Sequence, residues 1–169
     1  CNDAISQEGN VIGDPTEIAL IEFPKKFSYD ELEIRSENKR LSEIPFDSDR
    51  KLMSTVNQYK GKKIAFTKGA VDQLLERATK ILKNDEIIDI TPEDKVNIIN
   101  NMTLMSEKAL RVLSLGFKML PENSDYTLET LETEIIYVGM VGMIDPPRIE
   151  VKDSALRAKS AGIDVKMIT

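Results

Sequence analysis

Phe46 stands in Pro45-Phe46-Asp47-Ser48-Asp49-Arg50-Lys51, an aromatic in a polar connection with two cations close behind it. A ring face there suits a purine while Lys51 neutralises phosphate; equally, Phe46 closes a core edge and both cations are solvated. Lys68 ends a segment whose same-face neighbours are Ile64 and Phe66, where an ammonium must either snorkel to solvent or meet an anion. Gly69, next to it, either lets a ligand approach the backbone or makes an ordinary strand-to-helix turn. Glu17 falls at the third position of a helix opened by Asp14-Pro15, a spacing that favours capping with Asp14 over accepting a hydrogen from an exocyclic amine. Arg111 shares a face with Leu113 and Leu115; it needs an anionic partner, or else serves as an edge charge against aggregation.

Other chemistries are excluded by composition. The 169 residues contain no His and a single cysteine, Cys1, so imidazole bases, Ser-His-Asp triads, an internal disulfide and Cys- or His-built metal sites all fall away. No metal-binding residues are predicted. The balance of 29 acidic against 23 basic residues argues against a nucleic-acid partner. Gly61-Lys62-Lys63 lacks the earlier glycine of a Walker loop, and Gly139-Met140-Val141-Gly142 is half a dinucleotide fingerprint. No secretory signal is legible, and the apolar run from Tyr137 to Ile144 is too short to cross a bilayer.

The elements that must carry these residues follow from pattern. Asp14-Pro15-Thr16-Glu17 opens a helix bearing Ile18, Leu20, Ile21 and Phe23, with Pro24 as its expected end. Residues 28–40 are polar and hold a short exposed helix or a loop. Leu41 to Phe46, Leu52 to Gln58 and Lys63 to Lys68 alternate as strands. Val71, Leu74, Leu75, Ala78 and Leu82 lie on one face of a predicted helix, although Lys83-Asn84-Asp85 also reads as a hairpin tip. Thr91-Pro92-Glu93-Asp94 starts another helix, with a stripe of Val96, Ile99, Met102 and Met105. Leu113, Leu115, Phe117 and Met119 mark one side of a half-buried strand, and Ile135 to Ile144 reads as a central one. Asp145-Pro146-Pro147 breaks the pattern; beyond it come a helix with Val151, Ala155 and Ala158, a Gly162 stop and a strand from Asp164 to Ile168. The fold class is α/β (α+β): an antiparallel β-sheet flanked by helices over residues 1–143, with 144–169 a hinge and a truncated piece of a parallel α/β domain.

Taken in order, Cys1-Asn2-Asp3-Ala4, Gly13-Asp14-Pro15-Thr16-Glu17, the stretch Phe46 to Ser54, Lys68-Gly69-Ala70, Leu110-Arg111-Val112-Leu113, Gly142 to Arg148 and Met167-Ile168-Thr169 resemble the nucleotide-binding domain of type II, calcium-pump-like P-type ATPases. The resemblance spans the whole chain. It implies that Phe46 stacks on adenine and Glu17 lies near the adenine edge. Lys51 and Lys68 would line the slot, Gly69 its wall, and Arg111 would reach the phosphates. Asp145 and Thr169 would lie near the transferred phosphoryl group, in a dehalogenase-like phosphorylation domain that the last residues only begin. No catalytic residue falls within the chain itself. The implied ligand is ATP or ADP, with Mg²⁺ held by residues outside this segment. The implied partners are the phosphorylation, actuator and transmembrane domains of one polypeptide, and the segment alone is expected to be monomeric. It would be a cytoplasmic part of an integral membrane protein that drives cation transport, with the Gly-Asp-Pro-Thr-Glu wording leaning toward Ca²⁺. Ser48 stands where some relatives carry Arg, Val71-Asp72 replaces their Pro-Glu or Ser-Glu, and Asp-Lys-Thr-Gly, whose Asp is phosphorylated, is absent. The competing readings are a fragment of a dehalogenase-type phosphatase and an interaction domain without nucleotide binding.

Overall fold

Period-two segments and tight turns build the sheet. The computed structural model describes residues 1–7, 10–144 and 149–166. Strands β1 (Ile5–Gln7) and β2 (Asn10–Ile12) pair by themselves, ahead of helices α1 (Pro15–Lys25) and α2 (Glu31–Glu37). β3 (Arg40–Asp47), β4 (Leu52–Tyr59) and β5 (Lys62–Gly69) then form a meander. Lys60 and Gly61 take φ of 48° and 77°, the left-handed pair a two-residue hairpin requires, and the β4–β5 register runs unbroken from Tyr59↔Lys62 to Leu52↔Gly69. After α3 (Val71–Arg77) come β6 (Ala78–Lys83), β7 (Glu86–Asp89) and α4 (Pro92–Glu107). β8 (Arg111–Leu120), α5 (Leu128–Leu131), β9 (Ile135–Met143) and α6 (Ile149–Ser160) complete the order. The seven-stranded sheet runs β3-β4-β5-β8-β9-β6-β7, antiparallel at every junction except β6–β9.

One face of the sheet packs under α3 and α4. Leu52, Val71, Leu74, Leu75, Ala78, Ile81, Ile98, Ile135 and Tyr137 form its core, each large apolar side chain contributing ~1.5–3 kcal/mol by burial. Burial also pushes the Tyr137 hydroxyl up to about 12. A second cluster, Val56, Ala65, Leu120 and Leu131, closes the end under α5. α1 and α2 lie over the other face, near Asn57, Tyr59 and Phe66. α4 carries the start signal read from its sequence: Thr91 Oγ1 accepts from Asp94 N at 3.1 Å, and the Asp94 carboxylate accepts in return from Thr91 N. Hydrogen bonds from Lys83 and then Thr91 hold the Asp94 carboxyl down at about 2.

Several sequence expectations give way to tertiary pairing. The predicted helix through Leu82 ends at Arg77, because residues 78–83 are claimed as β6 between β9 and β7, with Asn84 and Asp85 (φ 51° and 65°) at the hairpin tip. Pro24 lies inside α1 rather than ending it; the helix closes one residue later through bonds from Lys26 and Phe27 to the carbonyls of Phe23 and Pro24. On β8 the buried residues are Ser114, Gly116 and Leu120, not Leu113, Leu115, Phe117 and Met119. Gly116 lies so close to β9 and α3 that a Cβ would come within 2.5 Å of Ile135 Cγ2 and 3.3 Å of Leu74 Cδ2, so small residues must face the helix layer. On α4 the expected Ile99 and Met102 pack against the core, but the buried residue is Ile98, and Val96 is 58% exposed. The polar stretch after residue 28 does hold a short helix, α2. After the Gly162 stop (φ 75°, with Ile163 N bonded to Ala158 O), residues 164–166 form no strand; Ile168 lies outside the described residues, as do Asp145 and Thr169.

Candidate functional site

The six predicted residues come from four places in the chain; antiparallel pairing brings five of them to one end of the sheet, and Glu17 joins them through its contact with Lys68. Phe46 and Lys51 bracket the β3–β4 turn, Lys68 and Gly69 end β5, Arg111 begins β8, and Glu17 lies in the first turn of α1. Register fixes their order across the sheet. Pro45 and Phe46 together face Met53 in a bulge, Met53 pairs with Lys68, and β8 follows β5. At ~4.8 Å per strand, Phe46 and Arg111 are separated by three spacings, about 14 Å sideways. Arg111 pairs with Met143, so it stands where β9 leaves the sheet toward residue 144.

Phe46 is 62% exposed, and among the described residues no ring or cation stacks on it. The turn behind it is built by Asp47, whose Oδ1 accepts from Asp49 N (3.0 Å) and Arg50 N (2.9 Å), while its carbonyl accepts from Lys51 N (2.6 Å). This closure leaves Lys51 exposed with φ 56°. The Lys51 carbonyl turns back to accept from Ala70 N at 3.1 Å. Gly69 is buried under that turn: a Cβ there would stand 2.2 Å from the Lys51 oxygen. Ser114 Oγ donates to the Gly69 carbonyl at 2.8 Å from the neighbouring strand.

Lys68 is 8% exposed, and its anion is internal. Its Nζ donates to Glu17 Oε1 at 2.5 Å, while Glu17 Oε2 accepts from the amides of Asp3 (3.0 Å) and Ala4 (3.1 Å). Glu17 therefore does not share the cap of α1 with Asp14. Asp14 accepts from Thr16 N at 2.8 Å, and that backbone bond is the main cause of its lowered pKa. Arg111 Nη1 donates to Thr16 Oγ1 at 2.9 Å, which sets its guanidinium at the start of α1.

Sequence reasoning left one cluster unseen. Arg50, one of the two cations behind Phe46, pairs with Glu132 and donates through Nη2 to the Pro45 carbonyl at 2.6 Å. Glu132 is 3% exposed and also accepts from Ser54 Oγ at 2.7 Å. The only hint in the sequence was a cation beside Phe46; its partner lies 82 residues away. A cavity of about 460 Å³ elsewhere, lined by Leu20, Ile21, Tyr29, Tyr59 and Phe66 among others, includes none of the six predicted residues. The exposed Phe46 ring stands outside that cavity. Among the described residues no group of three or more His, Cys, Asp or Glu could hold a metal ion, and no helix is long and apolar enough to cross a membrane.

Residues 1–150 match the family model described as P-type ATPase, cytoplasmic domain N. The whole chain aligns at 47% identity with a calcium-transporting ATPase of Bacillus cereus and at 44% with one of Lactococcus lactis, in each case covering 19% of the relative's length. A sodium/potassium exporting P-type ATPase of Schizosaccharomyces pombe is 34% identical over 99% of the chain and 16% of its own length.

Proposed function

The chain belongs to the P-type ATPase family through its cytoplasmic domain N, and from that premise we propose that it binds ATP at the exposed Phe46. Adenine stacks on the ring, with Lys51 and Lys68 beside it, Glu17 near the adenine edge and Arg111 toward the phosphates. The observation that carries this reading is the open ring at one side of a row of cations that ends beside the exit of β9. A nucleotide laid along that row directs its phosphate tail toward residues 144 onward. There we place the hinge, with residues 1–143 as the nucleotide domain and 144–169 as the start of a phosphorylation domain near which Asp145 and Thr169 belong.

Positioning and charge neutralisation, rather than covalent help, are what phosphoryl transfer asks of such a domain. The aspartate that receives the γ-phosphate, and the Mg²⁺ ligands, lie in the rest of the polypeptide, alongside its actuator and transmembrane domains. Lys68 contributes in a particular way. An ammonium has three donors and one is bonded to Glu17, so a phosphate oxygen could be added without breaking that pair. The whole protein is then an ATP-driven cation pump in a membrane, with this segment on its cytoplasmic side. The names of the calcium-transporting relatives favour Ca²⁺ as the cargo, while a sodium/potassium exporter also aligns with this segment.

One stack is worth ~1–3 kcal/mol and each charge-assisted hydrogen bond ~1.5–3 before ordering costs, giving a Kd of ~0.1 to several mM. Titrating this chain with ATP by NMR should move the signals of Phe46, Lys51 and Lys68 first, and adding Mg²⁺ should change the affinity little. Phe46→Ala should weaken binding ~tenfold or more while the spectrum stays folded. Shifts centred elsewhere, or an unchanged Kd in that variant, would refute the site.

A further inference from the structure

Resting on that nucleotide reading, we infer that Glu132 and Arg50 are positioning residues for the Phe46 ring: a buried carboxylate holds, through one guanidinium, the bulge that presents the aromatic face. The chain of contacts is continuous. Glu132 Oε1 takes both Arg50 Nη1 and the Ser54 hydroxyl, and Ser54 in turn contacts Thr67 Oγ1 at 2.9 Å on β5. Arg50 Nη2 reaches the carbonyl of Pro45, the residue immediately before Phe46. At this point two residues of β3 oppose Met53 alone, so the ladder is interrupted and holds the backbone least firmly. Arg50 supplies the missing restraint from outside the ladder.

The chemistry suits restraint more than bulk stability. A planar guanidinium grips a carboxylate and a carbonyl at once in fixed directions, which a flexible ammonium does not reproduce. Glu132 Oε2 is buried and has no partner among the described residues, a desolvation cost that well-packed apolar side chains would avoid. The same turn carries Lys51, whose amide bonds to Asp47, so a loosened Arg50 frees both the ring and one cation of the seat. Nucleotide binding would then have to order residues 46–51, and affinity falls by that ordering cost.

Two readouts test this on the 169-residue chain: backbone ¹⁵N order parameters without ligand, and ATP affinity, each for Glu132→Gln and Arg50→Lys with Phe46 present or replaced by alanine. Order parameters over residues 46–51 should fall from rigid values near ~0.85 toward ~0.6 in both variants. The Kd for ATP should rise ~three- to tenfold while Phe46 is present and by a smaller factor, ~1.5- to twofold, in the Phe46→Ala background, where only the placement of Lys51 is still lost. Unchanged order parameters in a folded variant, or equal losses in both backgrounds, overturn the inference. Should Glu132→Gln fail to fold, Arg50→Lys at the surface end of the pair supplies the same two measurements. An unchanged Kd in Phe46→Ala alone would sink the nucleotide reading instead, and the ligand-free order parameters would still decide the tether.

Discussion

Lys68 is a charge the fold could not have buried alone, and its pairing with Glu17 makes two residues at the ring end serve stability as well as the proposed ligand. Their side chains are 9% and 15% exposed, and the carboxylate's other oxygen gathers two amides of the N-terminal segment. Removing one partner from such a pair leaves an uncompensated charge, a cost of ~3–5 kcal/mol. Glu17→Ala should therefore lower the unfolding free energy by roughly that amount in urea denaturation, and combining it with Lys68→Met should recover part of the loss. A single-variant cost below ~1 kcal/mol would mean that solvent already screens the pair. The sequence made half of this legible. Ile64 and Phe66 beside Lys68 leave it either to snorkel to solvent or to meet an anion, but nothing local could name a partner 51 residues away. Glu17 misled for the same reason: its place in the first turn of a helix suggests a cap, and only tertiary contact turns its carboxylate toward β5 and the segment at Asp3 and Ala4.

At the scale of elements, the site depends on how closely β5 passes under the β3–β4 turn. Leu52 pairs with Gly69, and the turn before Leu52 brings the Lys51 carbonyl to where a Gly69 side chain would be. Gly69→Ala must push that turn away, and overpacking of this kind costs ~1–3 kcal/mol. The expected result is a lower melting temperature together with weaker ATP binding, because the displaced turn carries Lys51 and adjoins Phe46. Stability lost with affinity intact would separate the turn from the seat. Elements whose boundaries are written in local chemistry were readable, as with the capping box at Thr91 and Asp94 and the hairpin turn at Lys60-Gly61. Those decided by neighbours were not. Ala78 and Leu82 fit a helical face but become strand residues once β9 and β7 are available to pair with them. Ser114 and Gly116 look like the poor face of β8 until α3 is set against them. Arg50 and Glu132 belong with these, since a solvated cation and a buried tether look alike in sequence.

For the whole molecule, the proposed boundary at residue 143 can be tested by what lies beyond it. Val151, Leu156, Ile163 and Val165 are all more than half exposed, so α6 and the residues after it bury little of their apolar surface on the described sheet. A helix whose apolar side chains remain in water adds little to cooperative stability, since most helical stability in proteins comes from packing one face. Ending the chain at Met143 should accordingly shift the melting temperature by no more than ~2 °C and leave the ATP affinity unchanged. A larger loss would show that the tail belongs to the nucleotide domain. The same division predicts the chemistry. The chain contains no Asp-Lys-Thr-Gly and no histidine, so bound ATP meets neither the phosphorylatable aspartate nor an imidazole base. Purified protein of either length should bind ATP and release no phosphate above the spontaneous rate, with or without Mg²⁺. Turnover that disappeared in Phe46→Ala would place groups that catalyse phosphoryl transfer, to water or to a side chain, within these 169 residues and end the separation of binding from transfer on which the domain reading rests.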